Sequence, residues 1–378
     1  MDNKINKPKS GQRLASIDAY RGATIAGMIM VINPGSWKYI YPAFRHANWN
    51  GCTLADLVFP FFLFIVGVSI TYAFSNSLNK GITKKLLYSK IIKRSIILFI
   101  IGLFLNSFPN FDLANIRIMG VLQRIALCYL IVSFLFLNSN YYVQIIVSIS
   151  LLFIYWALME WVPLPELGLS AYEKGTNVAA YFDRLILSGH MGYYEKIGEP
   201  EGFISMLPAI STTLFGVLTG HFLKSKKEPL IISSALFITG VLGVFGGMIW
   251  AQWLPINKNL WTSSYSVLTA GFALIVFSLF YFFIDVLDYR KWAKPFIVFG
   301  MNAITVYVLS IIFARLIVMI KFTTESGVSY HVRSWFYDNI LAVVLGNYNA
   351  SLIYAFLYSL FWCGIMWIFY NKKIFIKI

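Results

Sequence analysis

The 378-residue chain is 58% hydrophobic and only 12% charged, with a formal net charge of +15. A soluble domain carries about a quarter charged residues, so a water-soluble globule is excluded. The apolar runs are continuous rather than alternating, which excludes a β-barrel and leaves an all-α, polytopic membrane bundle.

Each crossing needs about 20 apolar residues, and on that rule the sequence predicts about ten transmembrane helices in one domain over residues 1–378. A polar, basic segment (residues 1–16) precedes the first span, Ile17–Ile32, which reads as an uncleaved anchor. The second span is Leu54–Phe74, the third a short Ser95–Phe108, the fourth Ile118–Leu137 and the fifth Tyr142–Val162. A long loop over residues 163–203 leads to the sixth, Ile204–Phe222. The seventh is Leu230–Ala251, where Gly243, Gly246 and Gly247 are helix-packing positions. Ser263–Ile284, Phe296–Ile320 and Ala350–Tyr370 complete the set.

With both termini on one side, that side collects the basic runs of residues 4–13, 80–94, 224–227, 290–294 and 372–377. The positive-inside rule therefore makes both termini cytoplasmic and the 163–203 loop extracytoplasmic. The net charge is an orientation signal, with the lipid bilayer as partner and no nucleic acid. Cys52, Cys128 and Cys363 are scattered and suggest neither a disulfide framework nor a metal site.

The stretch HANWNG (His46–Gly51) lies in a short polar loop directly ahead of an apolar span. Polar groups at such a rim accept a solvation cost that marks a site, unless Trp and His serve as interfacial anchors. The loop Gln252–Ser264 and the end of the long loop, EPEGF (Glu199–Phe203), fall on the same face. Asn50, Asn257, Asn259, Lys258, Glu199, Glu201 and the faces of Trp49 and Trp261 suit a hydroxyl-rich ligand, or are ordinary loop polarity.

Within spans, Arg124 is expected to pair with Asp56, either as structural glue or in chemistry. Asn302 and Tyr307 line a pore or bond a neighbouring helix. In RLASIDAYRG (Arg13–Gly22), Asp18 between Arg13 and Arg21 forms an ion-pair cluster or an entrance for an anion.

The blocks RLASIDAYRG, HANWNGCTLADLVFPFFLFIVGVSI, RIMGVLQRIALCY, EPEGFISMLPAISTTLFGVLTG, PINKNLWTSSYSVLTAG and FGMNAITVYVLS together resemble the heparan-α-glucosaminide N-acetyltransferase family. The resemblance runs in order over nearly the whole chain. It implies transfer of acetyl from cytosolic acetyl-CoA to a glucosamine-type amine across the membrane. It further implies a bacterial inner-membrane member and a homodimer. The family's catalytic histidine falls on His46, and a family active-site asparagine on Asn33. The usual DPEG reads EPEG here, Glu199 extending the arm by about one bond length.

On that reading Arg13, Arg21 and Lys294 hold the donor's phosphates, and Arg124 and Asn302 are polar groups along its shaft. His46 acts as general base or as acetyl-carrying nucleophile. The amides of Asn33, Asn50, Asn257 and Asn259 are oxyanion donors, with Lys258 adding charge. No metal is expected. The competing classes are an amino-sugar or anion transporter and an O-acetyltransferase of an envelope glycan.

Overall fold

In the computed structural model, residues 14–165, 168–169, 172–192, 197–323 and 329–376 are described. The chain forms α1 (Ala15–Ile32), α2 (Leu54–Asn79), α3 (Lys84–Ser107), α4 (Val121–Asn138) and α5 (Tyr141–Trp161). A ribbon of β1 (Pro163–Leu164) against β2 (Gly168–Leu169) and the amphipathic α6 (Val178–Leu187) sit in the long loop. Then come α7 (Met206–Leu223), α8 (Pro229–Trp250) and α9 (Ser263–Tyr281), whose end widens into a π-helical turn through Val286. Next are α10 (Lys294–Met301), α11 (Ala303–Met319) and an antiparallel ribbon of β3 (Lys321–Thr323) with β4 (Ser329–His331). Short α12 (Val332–Phe336) and α13 (Ala342–Leu345) lead to α14 (Asn347–Asn371).

Eight of these helices are long and apolar enough to cross a membrane, and α10 with α11 make a ninth if the bent pair counts as one crossing. Two expected spans differ. The third is the apolar half of a longer helix whose first half carries Lys84, Lys85, Lys90, Lys93 and Arg94, more charge than a simple crossing holds. The ninth is broken at Asn302 by 83°.

The bundle is drawn together where side chains are smallest. A methyl group on Gly67 of α2 would overlap the Thr213 carbonyl of α7, and one on Gly216 would overlap the Phe64 carbonyl. Gly22 of α1 and Gly300 of α10 approach each other's helices just as closely. Gly243 and Gly247 of α8 lie close against α9, and Gly246 also faces it, with room for a methyl group at 3.9 Å from Val267. Without a hydrophobic drive between helices in lipid, such close backbone approach and interhelical hydrogen bonds supply cohesion. Ser211 Oγ donates to the Ser148 carbonyl at 2.8 Å, Ser263 Oγ to Leu152 at 2.8 Å, and Thr71 Oγ1 to Val217 at 3.1 Å.

Overpacking at a backbone contact costs about 1–3 kcal/mol or more. Gly67→Ala or Gly216→Ala is therefore expected to lower the thermal unfolding midpoint of the purified protein. Gly246→Ala, with its nearest neighbour 3.9 Å away, is expected to leave it unchanged.

Candidate active site

The sequence TLAD (Thr53–Asp56) is a capping box, and α2 starts there. Asp56 Oδ2 accepts from the Thr53 N–H at 3.0 Å and from Thr53 Oγ1 at 3.0 Å, and also from the Ala47 N–H at 3.1 Å. The carboxylate is thus buried against the positive end of a helix, where negative charge is favoured. A second loop is zipped to the first. Gly51, at φ +114°, donates its N–H to the Ile256 carbonyl at 2.7 Å, and Asn257 Nδ2 donates to Asn50 Oδ1 at 3.1 Å. Asn257 also holds its own turn by accepting from the Leu260 N–H at 2.9 Å.

This zipper brings three charged or titratable groups together. His46 Nδ1 lies 2.7 Å from Asp56 Oδ1, and Lys258 Nζ lies 3.5 Å from the same oxygen. A carboxylate can only accept, so Nδ1 carries the proton and the Nε2 lone pair is the basic one. Lys258 Nζ is 3.0 Å from Nδ1 and 3.2 Å from Nε2. The ammonium therefore sits against the imidazole, close to both of its nitrogens. The His46 side chain is 42% exposed, which leaves Nε2 reachable from outside. Burial lowers the Lys258 pKa, opposed by Asp56 and Glu201. Burial, with Asp56 beside it, pushes the neighbouring Cys52 thiol up to about 12, which removes it as a competing nucleophile.

The expected Asp56–Arg124 pair does not form, because each group has better placed partners. Arg124 Nη2 donates to the Pro200 carbonyl at 2.9 Å, to Gly202 at 3.4 Å and to Ser205 Oγ. Its guanidinium lies 4.8 Å over the Trp261 ring. Trp261 is consequently only 1% exposed, packed edge-on by Phe59 as well, and is no open sugar platform. Arg124 is equally buried, and its Nε and Nη1 have no acceptor among the described residues.

Glu199 and Glu201 also differ from expectation: both are held by Arg117. Glu199 Oε2 further accepts the Gly192 N–H at 2.8 Å. Burial and the facing charge of Glu201 raise Glu199, whereas Arg117 keeps Glu201 below the ordinary carboxylate range against its burial. Asp183 of α6, pushed by burial to about 6, accepts the N–H groups of Phe203 at 3.1 Å and Glu199 at 3.3 Å. Arg117 and Asp183 were not singled out in the sequence. The signal available was EPEG itself, two acids one residue apart that need a shared cation when buried.

A family profile described as "Heparan-alpha-glucosaminide N-acetyltransferase, catalytic" matches residues 13–248. The chain belongs to this family. It is 32% identical to the heparan-alpha-glucosaminide N-acetyltransferase of Mus musculus, over 79% of this chain and 53% of that protein. It is 30% identical to the Homo sapiens protein of the same name, over 97% of this chain and 60% of that protein. The chain thus spans little more than half the length of these relatives of the acetyltransferase family.

Within this acetyltransferase-family chain, a cavity of about 620 Å³ opens at the other end of α2. It is walled by Phe62, Ser69 and Asn76 of α2, Arg94 of α3, Tyr129 of α4, and Asp18 and Arg21 of α1. Arg21 donates to Ser69 Oγ at 2.6 Å, to Asp18 Oδ1 at 3.2 Å and to the Gly300 carbonyl at 3.3 Å, so it serves both the ion pair and the cavity wall. The Arg94 guanidinium lies 4.7 Å over Tyr129, and its Nε is buried with no acceptor among the described residues. Lys294 is on the exterior over Trp367 and does not line this cavity. Arg13 lies outside the described residues.

Asn33 caps α1, its Nδ2 donating to the Ile29 carbonyl at 2.9 Å, and Asn302 bonds the segment after α14. Trp49 and Asn259 border a small recess beside Asn177 and Lys174, with Trp49 Nε1 donating to the Tyr172 carbonyl at 2.8 Å. Removing one partner of a buried charge set costs about 3–5 kcal/mol. Arg117→Met is therefore expected to lower the unfolding midpoint strongly, and Arg117→Lys to recover part of the loss.

Proposed function

We propose that this chain is a transmembrane N-acetyltransferase that carries acetyl from acetyl-CoA to the amine of a glucosamine-type sugar. The observation that carries this reading is that one helix, α2, bears the His46–Asp56–Lys258 cluster at its start and the basic-walled cavity along its second half. Phe62, at the cavity's inner end, is six residues past Asp56, or ~9 Å along a helix rising 1.5 Å per residue. Acetyl-CoA suits the cavity because its phosphates need cations, and Arg94 offers a buried donor with no acceptor among the described residues. Arg21 and Arg94 would hold the phosphates, and the thioester would point toward Asp56. We assign the cavity end to the cytoplasm, since the α2–α3 and α7–α8 turns and residues 372–373 there are basic. The homodimer and the bacterial inner membrane rest on the family resemblance.

At the opposite end His46 Nε2 acts on the acyl group. In direct transfer it takes a proton from the attacking sugar nitrogen while the thioester C–S bond breaks, and that proton passes to the departing thiolate. In the two-step route Nε2 attacks the carbonyl carbon and the C–S bond breaks, coenzyme A leaving as a thiolate that takes a proton from water. The sugar amine then displaces the imidazole and gives its proton to the freed Nε2, which returns it to water. Both routes need Nδ1 held by Asp56. Of the expected oxyanion donors, Asn33 and Asn257 each give one Nδ2 hydrogen to a protein acceptor. Lys258, already on the ring, is the cation for the developing oxyanion.

Purified protein given labelled acetyl-CoA and glucosamine is expected to form an amide, and an ester product or no product would overturn the reading. His46→Ala is expected to lower turnover by at least ~10²-fold. Asp56→Asn should lose ~10²–10⁴-fold, since an amide cannot accept from all of the donors that converge there. Lys258→Met should lose ~10²-fold in kcat with a smaller change in KM. Labelled acetyl held on the protein without acceptor selects the two-step route.

A further inference from the structure

Asn302 stands at the 83° break between α10 and α11, and its side chain is 2% exposed. Both ends of its carboxamide are spent on backbone far away in sequence. Nδ2 donates to the Ile374 carbonyl at 3.0 Å, and Oδ1 accepts from the Ile376 N–H at 2.9 Å. One side-chain amide thus grips an extended segment as a neighbouring strand would. That segment, Ile374–Ile376, follows α14 after a left-handed residue, Lys373, at φ +55°. Phe375 and Ile376 form part of the wall of the 620 Å³ cavity, while Ile374 and Ile376 remain 41% and 47% exposed. Residues that are at once cavity wall and outer surface lie at its rim.

We propose that Ile374–Ile376 is a strap across the mouth of this cavity, latched by Asn302 and released when a ligand enters or leaves. The strap is apolar, so it seals the mouth against water, and among the described residues the two Asn302 bonds are the side-chain hydrogen bonds that fasten it. Two neutral hydrogen bonds make a latch that opens often on the timescale of turnover. That the ligand is acetyl-CoA rests on the function proposed above; that the strap closes the cavity does not.

The test uses a background carrying Cys52→Ala, Cys128→Ala and Cys363→Ala, together with Ile70→Cys at a buried cavity-wall position on α2. A charged, water-soluble thiol reagent then reports access to the cavity in purified full-length protein. Asn302→Ala removes both latch bonds. Ile376→Pro removes only the N–H and leaves the helix break intact, which guards against misfolding at Asn302. Labelling of the introduced thiol is expected to accelerate roughly fivefold to tenfold in Ile376→Pro and further in Asn302→Ala. Dissociation of labelled coenzyme A from protein not treated with the reagent should accelerate in the same order. Unchanged labelling in both variants overturns the strap. Faster labelling with unchanged coenzyme A release overturns its role as the ligand's gate. Failure of the parent protein to bind coenzyme A removes the donor reading, and the labelling alone then decides the strap.

Discussion

Asp56 is a fully buried carboxylate in a membrane protein, and its neighbours are arranged around the need to satisfy it. One oxygen takes the three donors that start α2 and turn the preceding loop; the other takes an imidazole and faces an ammonium. Burying an unpaired charge is costly enough that such a group either neutralises or recruits partners. Here the partners recruited are the ones that set the histidine's tautomer. The same hydrogen bonds therefore stabilise the fold and fix the imidazole.

Two neighbouring structures depend on that placement. Tyr265 of α9 donates its hydroxyl to the Asp56 carbonyl at 2.5 Å, so the helix after the second loop is registered against the first turn of α2. Farther along α2, Gly67 lets α7 approach within backbone contact. The EPEG turn that precedes α7 then falls beside Arg124 and Arg117. One helix, with Pro60 inside it, thereby sets the distance between the imidazole and the basic-walled cavity.

The class and most of the spans were legible in the sequence because composition and continuous apolar runs act locally. The third span was half visible, since a basic run sets about the first three turns of α3 apart from its apolar half. The break at Asn302 was not legible: Phe296–Ile320 is apolar throughout, and only the distant Ile374–Ile376 segment explains a polar residue there. Asp56–Arg124 was a reasonable pairing of two opposite charges at similar depth. It failed because Arg124 finds backbone carbonyls and the Trp261 face. Glu199 and Glu201 looked like ligand groups because Arg117, 82 and 84 residues away, gave no local hint that it would claim both.

The loops that carry His46 and Lys258 are joined mainly through peptide groups, Gly51 to Ile256, together with one amide pair, Asn50 with Asn257. Main-chain pairing is indifferent to what the adjoining side chains are. Asn48, Trp49 and Asn259, which flank the seam, can therefore diverge between relatives without loosening the imidazole or its carboxylate. The side chains that border the seam and the groups that hold the imidazole are mechanically separable in this architecture.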